Sequence, residues 1–170
     1  MKNIYKKEDF FQILGNISRV FATLDFFMTM LICRLLDAKE IKRNKIKSTT
    51  TLGGKTRIMK KLKSADVNYP KVLKKIQKII PEIEKINKKR NRYEHDQWVF
   101  SKSIESGKIK RIEIKIKDQL NANVFDIKET TLDISSLKKI IKEVILIQEK
   151  VRKISESMPH FDRNKLSILK

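Results

Sequence analysis

The chain has 170 residues, 40% of them apolar, which suits one compact domain with a real hydrophobic core and excludes wholesale disorder. Lys and Arg number 40 against 20 Asp and Glu, a net charge of +20 that points to a polyanionic partner, nucleic acid first and an anionic membrane surface second. Cys33 is the single cysteine, so a disulfide framework and a Cys-based zinc site are excluded and a reducing compartment is implied.

The opening MKNIYKKEDFF carries cations but no apolar run ending in a small-residue cleavage site, so no signal peptide is read there. A long helix is predicted from about Lys7 to Asp37. Phe10, Phe11, Leu14, Ile17, Phe21, Leu24, Met28, Leu31 and Leu35 recur at three- and four-residue steps. A second stripe, Ser18, Ala22, Asp25, Thr29 and Cys33, is small and partly polar, so another backbone could approach along it, for instance that of a second copy. Val20 to Leu36 is the one membrane-like stretch. Asp25 and Arg34 inside it would each cost roughly 2.5–3.5 kcal/mol at a bilayer centre. The stretch therefore reads as the core helix of a cytoplasmic protein, with no membrane as partner.

Residues 39–53 read as a basic, Thr-rich loop closing on a Gly pair, followed by a short helix from Lys55 to Lys63. Gly53-Gly54-Lys55-Thr56 invites comparison with a phosphate-binding loop. Position 49 is Thr where that pattern needs Gly, and no strand precedes it, so the pattern fails. Tyr69-Pro70 opens the next helix, with Val72, Leu73, Ile76, Ile79 and Ile80 inward. Pro81 is expected to break or kink it before it resumes through Ile83 and Ile86 to His95. The period then becomes two. Trp98 to Phe100 and Ile112, Ile114 and Ile116 read as a hairpin, with Gly107 at its left-handed position and a third extended piece near Val124 to Lys128. Asp133 is the expected N-cap of a last helix from Ile134 to about Met158, with Leu137, Ile140, Ile141, Val144, Ile147, Val151 and Ile154 on one face. The fold expected is mainly α: a helical bundle over residues 1–158 with a small β-hairpin before the last long helix, then a basic tail over 159–170.

The informative segment is Lys88 to Trp98, KKRNRYEHDQW. Asn91 and His95 are four residues apart and share a helical face, while Arg90 lies about 140° round the axis from His95. Arg90 continues the inner stripe of Ile79, Ile83 and Ile86, so its guanidinium leaves the core beside the helix end. Arg offers a planar fork for phosphate oxygens, His titrates near neutral pH, and Asn can fix a tautomer or hold a ribose hydroxyl. A helix-terminal His also simply complements the helix dipole, and the spacing alone occurs often by chance.

Arg90-Asn91-Arg92-Tyr93-Glu94-His95 resembles the Arg-Asn-x-x-x-His signature of the HEPN family, and the order of helices over about 7–158 is similar. The resemblance implies a HEPN-like bundle forming homodimers, with two such motifs facing each other across the subunit boundary. It implies a metal-independent, cofactor-free endoribonuclease of a bacterial defence or toxin–antitoxin system, in which Arg90 contacts the phosphate, His95 is general acid and base, and Asn91 positions. Members whose antitoxin attaches AMP carry a tyrosine two residues after the histidine; this chain has Gln97. The resemblance equally accommodates a non-catalytic RNA-binding or adaptor protein that works through an antitoxin or defence-complex partner.

Lys88, Lys89, Arg92, Arg111, Lys115 and Lys117 are the expected RNA contacts, the last three on an outward basic face of the hairpin alternating with inward isoleucines. The runs Lys42–Lys47, Lys60–Lys63 and Lys108–Lys117 add to this field or are merely solvated. Asp25 and Tyr93 are supporting candidates; Asp25 either bonds a nearby hydroxyl or orients Arg90 or His95, directly or across a dimer. His160 is read as idle, and two histidines without an acidic pair at ligand spacing argue against a metal.

Overall fold

The computed structural model describes residues 5–36, 51–95, 97–99, 106–116 and 125–159, without the side chains of residues 94, 95, 97, 114–116, 125 and 126. The lysine run 42–47, the loop 39–50, Lys117 and the tail from His160, with His160 itself, lie outside the described residues. Within them the chain is mainly helical, with a small three-stranded antiparallel sheet before the last helix. The elements are α1 (Lys7–Leu35), α2 (Leu52–Lys61), a short 3-10 turn (Ser64–Asp66), α3 (Pro70–His95), β1 (Gln97–Val99), β2 (Lys108–Ile116), β3 (Phe125–Asp133) and α4 (Ile134–Glu156).

The chain divides into two compact units, Met1–Phe21 with Ile86–Val144, and Ala22–Lys85 with Ile145–Lys170. In the first, α1 buries Phe10, Ile13, Ile17, Val20 and Phe21, α3 buries Ile86, β2 buries Ile109, and α4 buries Ile134, Leu137, Ile140 and Val144. Each such side chain contributes roughly 1.5–3 kcal/mol by leaving water. Phe11 and Leu14 were expected on the inner stripe of α1. Phe11 is instead 51% exposed and Leu14 half-buried, because 100° per residue carries both off the face that Phe10, Ile13 and Ile17 define.

The sheet has the order β1-β2-β3, with both pairs antiparallel. The expected hairpin is therefore enlarged, since the third extended piece pairs with β2 along its whole length from Lys108↔Asp133 to Ile116↔Phe125. Gly107 has φ 79°, the left-handed conformation expected of it. A Cβ there would also come within 3.0 Å of the Tyr5 ring, so glycine is required twice over. Its carbonyl accepts the Ile134 amide at 2.8 Å, which joins the start of the sheet to the start of α4.

In the second unit, Leu24, Met28, Leu31, Ile32 and Leu35 of α1 are buried, as are Leu52 and Met59 of α2 and Val72, Leu73, Ile76, Ile80 and Ile83 of α3. By length and composition α1 could cross a membrane, yet this inner face is fully covered by protein. Helix α2 begins three residues before the expected start, and the glycine pair lies inside its first turn rather than in a loop. The reason is a cap: the Thr51 hydroxyl accepts the Gly54 amide at 3.2 Å from an extended backbone at φ −100°. At the other end the Gln77 amide donates to the carbonyls of Met59 and Leu62.

Pro81 does not interrupt α3, which runs continuously from Pro70 to His95. The ring is exposed, so the carbonyl of Gln77 loses only its backbone donor at a position open to water. Arg34 caps the end of α4. Its guanidinium donates to the Ser155 carbonyl and hydroxyl, at 2.9 and 2.8 Å, and to the Pro159 carbonyl at 2.7 Å.

The polar stripe of α1 from Asp25 to Cys33 is met by α2 of the same chain. Lys55, 5% exposed, places its ammonium on Asp25 Oδ2, while Oδ1 is buried without a hydrogen-bond partner. The partner is thus an ammonium and not the hydroxyl expected from sequence; Thr29 Oγ1 donates instead to the Asp25 backbone carbonyl at 2.9 Å. Cys33 lies in reach of the same lysine. Burial pushes its thiol up from the ordinary value and Lys55 pulls it partly back, which leaves it a weak nucleophile.

Removing one member of this pair strands a charge, whereas removing both need not. Lys55→Met is expected to destabilise the fold by about 2–3 kcal/mol, discounted for the partial exposure of Asp25, and Asp25→Leu with Lys55→Met to recover most of the loss. Urea denaturation of the two single variants and the double variant measures the coupling.

Candidate active site and nucleic-acid interface

The last two turns of α3 carry the Arg90–His95 segment without a break in the helix. Arg90 follows Ile83 and Ile86 on the inner stripe and is half-buried. Its guanidinium carbon lies 5.8 Å from the centroid of Phe21, a fully buried ring, which fixes the fork at the margin of the core. Lys88, Asn91 and Arg92 are exposed. His95 closes the helix one turn beyond Asn91, and its side chain lies outside the described residues.

Tyr93 joins this helix end to the sheet. Its ring stacks on Trp98 at 6.0 Å and 16°, and the Trp98 indole donates to the Tyr93 carbonyl at 3.2 Å. Arg111 Cζ lies 5.9 Å from the same ring. Trp98 and Arg111 are direct partners across the β1–β2 ladder, so one cross-strand pair holds one tyrosine. Phe10 of α1 meets Trp98 edge-on at 4.9 Å and completes the cluster. Burial raises the Tyr93 phenol above its ordinary value of 10.0; Arg111, Lys89 and Arg92 oppose that rise and Glu143 adds to it.

Two of the expected RNA contacts have other roles. Arg111 is 6% exposed and shares the inward face of β2 with Ile109, the reverse of the outward orientation expected. Strand parity explains the reversal: Ile109, Arg111 and Glu113 face one way, and Lys108, Lys110 and Ile112 the other. Ile127, the ladder partner of Ile114, is 63% exposed, so apolar residues occupy part of the outer sheet face. Lys89 is bound to Glu143 of α4 at 2.7 Å. The Lys115 side chain and all of Lys117 lie outside the described residues, which leaves Lys88 and Arg92 as exposed cations of the expected set.

The carboxylate of Asp25 is engaged by Lys55 within the second unit. Sequence reasoning named Trp98 only as a strand residue and missed Phe10 and Glu143 as contributors here. The available signals were the lone tryptophan three residues past the histidine and the odd parity that Arg111 shares with Ile109. Among the described residues no three metal-ligating side chains cluster.

Arg111→Ala is expected to cost about 1–2 kcal/mol and to shift the emission of Trp98, the only tryptophan, whereas the exposed Arg92→Ala changes neither beyond about 0.5 kcal/mol. A phenol that ionises later in the folded chain stabilises it below the unfolded value of 10.0, and this contribution is lost as pH rises through the higher folded value. Tyrosinate absorbance should therefore show a phenol that ionises later in the folded chain than in the unfolded one, a delay lost in Tyr93→Phe. No family model, curated protein or solved structure matches the chain.

Proposed function

We propose that the chain is a HEPN-type endoribonuclease that cleaves RNA without metal or other cofactor, at a site composed from two copies, in a cytoplasmic bacterial defence or toxin–antitoxin setting. The observation that carries this reading is the unbroken course of α3 to His95, which holds Arg90, Asn91 and His95 on a single helical terminus. The net charge of +20 and the exposed Lys88, Asn91 and Arg92 at that terminus support an anionic substrate.

In this reading Arg90, backed by Phe21, binds the scissile phosphate and the charge that builds on it in the transition state. His95 takes the proton from the ribose 2′-hydroxyl as that oxygen attacks the adjacent phosphorus. Either the same imidazole or that of the second copy returns a proton to the departing 5′-oxygen. The P–O5′ bond breaks as the P–O2′ bond forms, leaving a 2′,3′-cyclic phosphate and a 5′-hydroxyl. Asn91, one turn before His95, holds the sugar or the imidazole tautomer.

Incubation with mixed RNA in EDTA is the test. The wild-type chain is expected to cleave, with Arg90→Ala and His95→Ala each slower by about a hundredfold or more at unchanged circular dichroism. A folded wild-type chain that binds RNA in a salt-sensitive way without cleaving it supports the non-catalytic alternative, and one that neither binds nor cleaves leaves a protein-partner role.

A further inference from the structure

Lys71, Lys74, Lys75, Lys78 and Lys85 are all exposed along the first part of α3. At 100° per residue the five fall within about 100° of arc, and at 1.5 Å per residue they run about 21 Å along the axis. The opposite face carries Val72, Leu73, Ile76, Ile80 and Ile83, all buried. The lysines therefore form one outward stripe on a helix anchored by its core.

Folding does not consume this charge. Every carboxylate among the described residues of the same unit is engaged elsewhere. Lys55 holds Asp25, Lys60 holds Glu84, Lys150 holds Glu82, and Arg152 holds both Glu149 and Glu156. Asp66 accepts the Lys63 amide at 2.9 Å. Glu82 is the acid that falls within the arc of the stripe, and the Lys150 ammonium meets it at 2.7 Å. None of the five lysines is in an ion pair or ring contact with another described residue. Lys71 and Lys75, and likewise Lys74 and Lys78, stand four apart and repel each other, and the first turn of the helix carries no acid to offset them. A row of anions lying along the stripe would relieve that repulsion.

The chemistry of the stripe selects its occupant. Residues 70–85 contain no aromatic ring and no arginine, so nothing here stacks on an unpaired base or forks onto a base edge. Ammonium groups in a row read phosphates alone, and a double helix presents its phosphates outward with its bases hidden. An interfacial helix enters a lipid surface through an apolar face, and the apolar face of this helix is turned into the core. We infer that the Lys71–Lys85 stripe docks the phosphate backbone of a double-helical RNA segment without reading its sequence. The inference rests on the nuclease reading, which supplies RNA as the polyanion, and adds that the substrate carries a stem.

The test titrates a labelled RNA hairpin against the His95→Ala chain in EDTA, so that the RNA stays whole. With Lys74→Gln, Lys75→Gln and Lys78→Gln combined, binding should weaken roughly a hundredfold at about 0.1 M salt, and the slope of log K against log salt should fall by about two to three. The thermal midpoint should stay equal or rise, because like charges four apart are removed. Removing the same charge through Lys128→Gln, Lys139→Gln and Lys142→Gln, exposed on β3 and α4, should change affinity less than about fivefold. Equal weakening in the two triple variants overturns the stripe, since net charge alone would then account for binding. A parent that prefers a single strand to the hairpin overturns it while leaving the nuclease reading intact. Tighter binding of a DNA duplex, or displacement of the hairpin by polyglutamate or phosphatidylserine vesicles as effective as by unlabelled hairpin, overturns the assignment to RNA. A parent that binds neither form of RNA overturns both readings.

Discussion

The grip on Tyr93 is the interaction on which the candidate site depends. A helix end separated from a strand by one residue has few ways to be held still, because its last carbonyls lack partners and its side chains face in every direction. Here the ring of Tyr93 lies against Trp98 and beneath Arg111, and the Trp98 indole occupies the Tyr93 carbonyl. Because Trp98 and Arg111 are ladder partners, the sheet engages the last turn of α3 as a unit. Rigid support of this kind is what the proposed cleavage would require of this helix end.

The same cluster shows how a strongly basic chain distributes its charge. Among the described residues, Lys55 neutralises Asp25, Lys89 holds Glu143, Arg34 caps α4, and Arg111 covers Tyr93. These cations are structural, and their loss would register as stability. Others are exposed, Lys88 and Arg92 at the helix end among them. In the proposed reading, long-range attraction for RNA comes from the whole charge of +20, and orientation from the few exposed groups near Arg90 and Asn91.

Much of the helical framework was legible in the sequence because burial repeats with the helical period. Ile76, Ile80 and Ile83 of α3 and Leu137, Val144 and Val151 of α4 fall where that period places them. The misreadings share one cause: local pattern does not encode what arrives from elsewhere in the chain. Gly53-Gly54 looked like a loop until Thr51 supplied a cap, and Pro81 looked like a break until its ring proved exposed. Asp25 gave no sign of Lys55, thirty residues on. Strand parity in 108–116 was ambiguous, since isoleucines occupy both faces, at Ile109 and at Ile112, and the buried cation went unnoticed for that reason. The placement of Arg90, Asn91 and His95 on one helix end was readable from the sequence, whereas Phe21 behind Arg90 and Trp98 against Tyr93 required the tertiary structure.

Chemical identification of the RNA ends left by the purified chain in EDTA tests the central claim most directly. Transfer through the ribose hydroxyl predicts 2′,3′-cyclic phosphate and 5′-hydroxyl termini, with a DNA strand of the same sequence left whole. Termini bearing a 5′-phosphate, or cleavage of the DNA strand, would contradict an Arg90–His95 nuclease acting through the sugar.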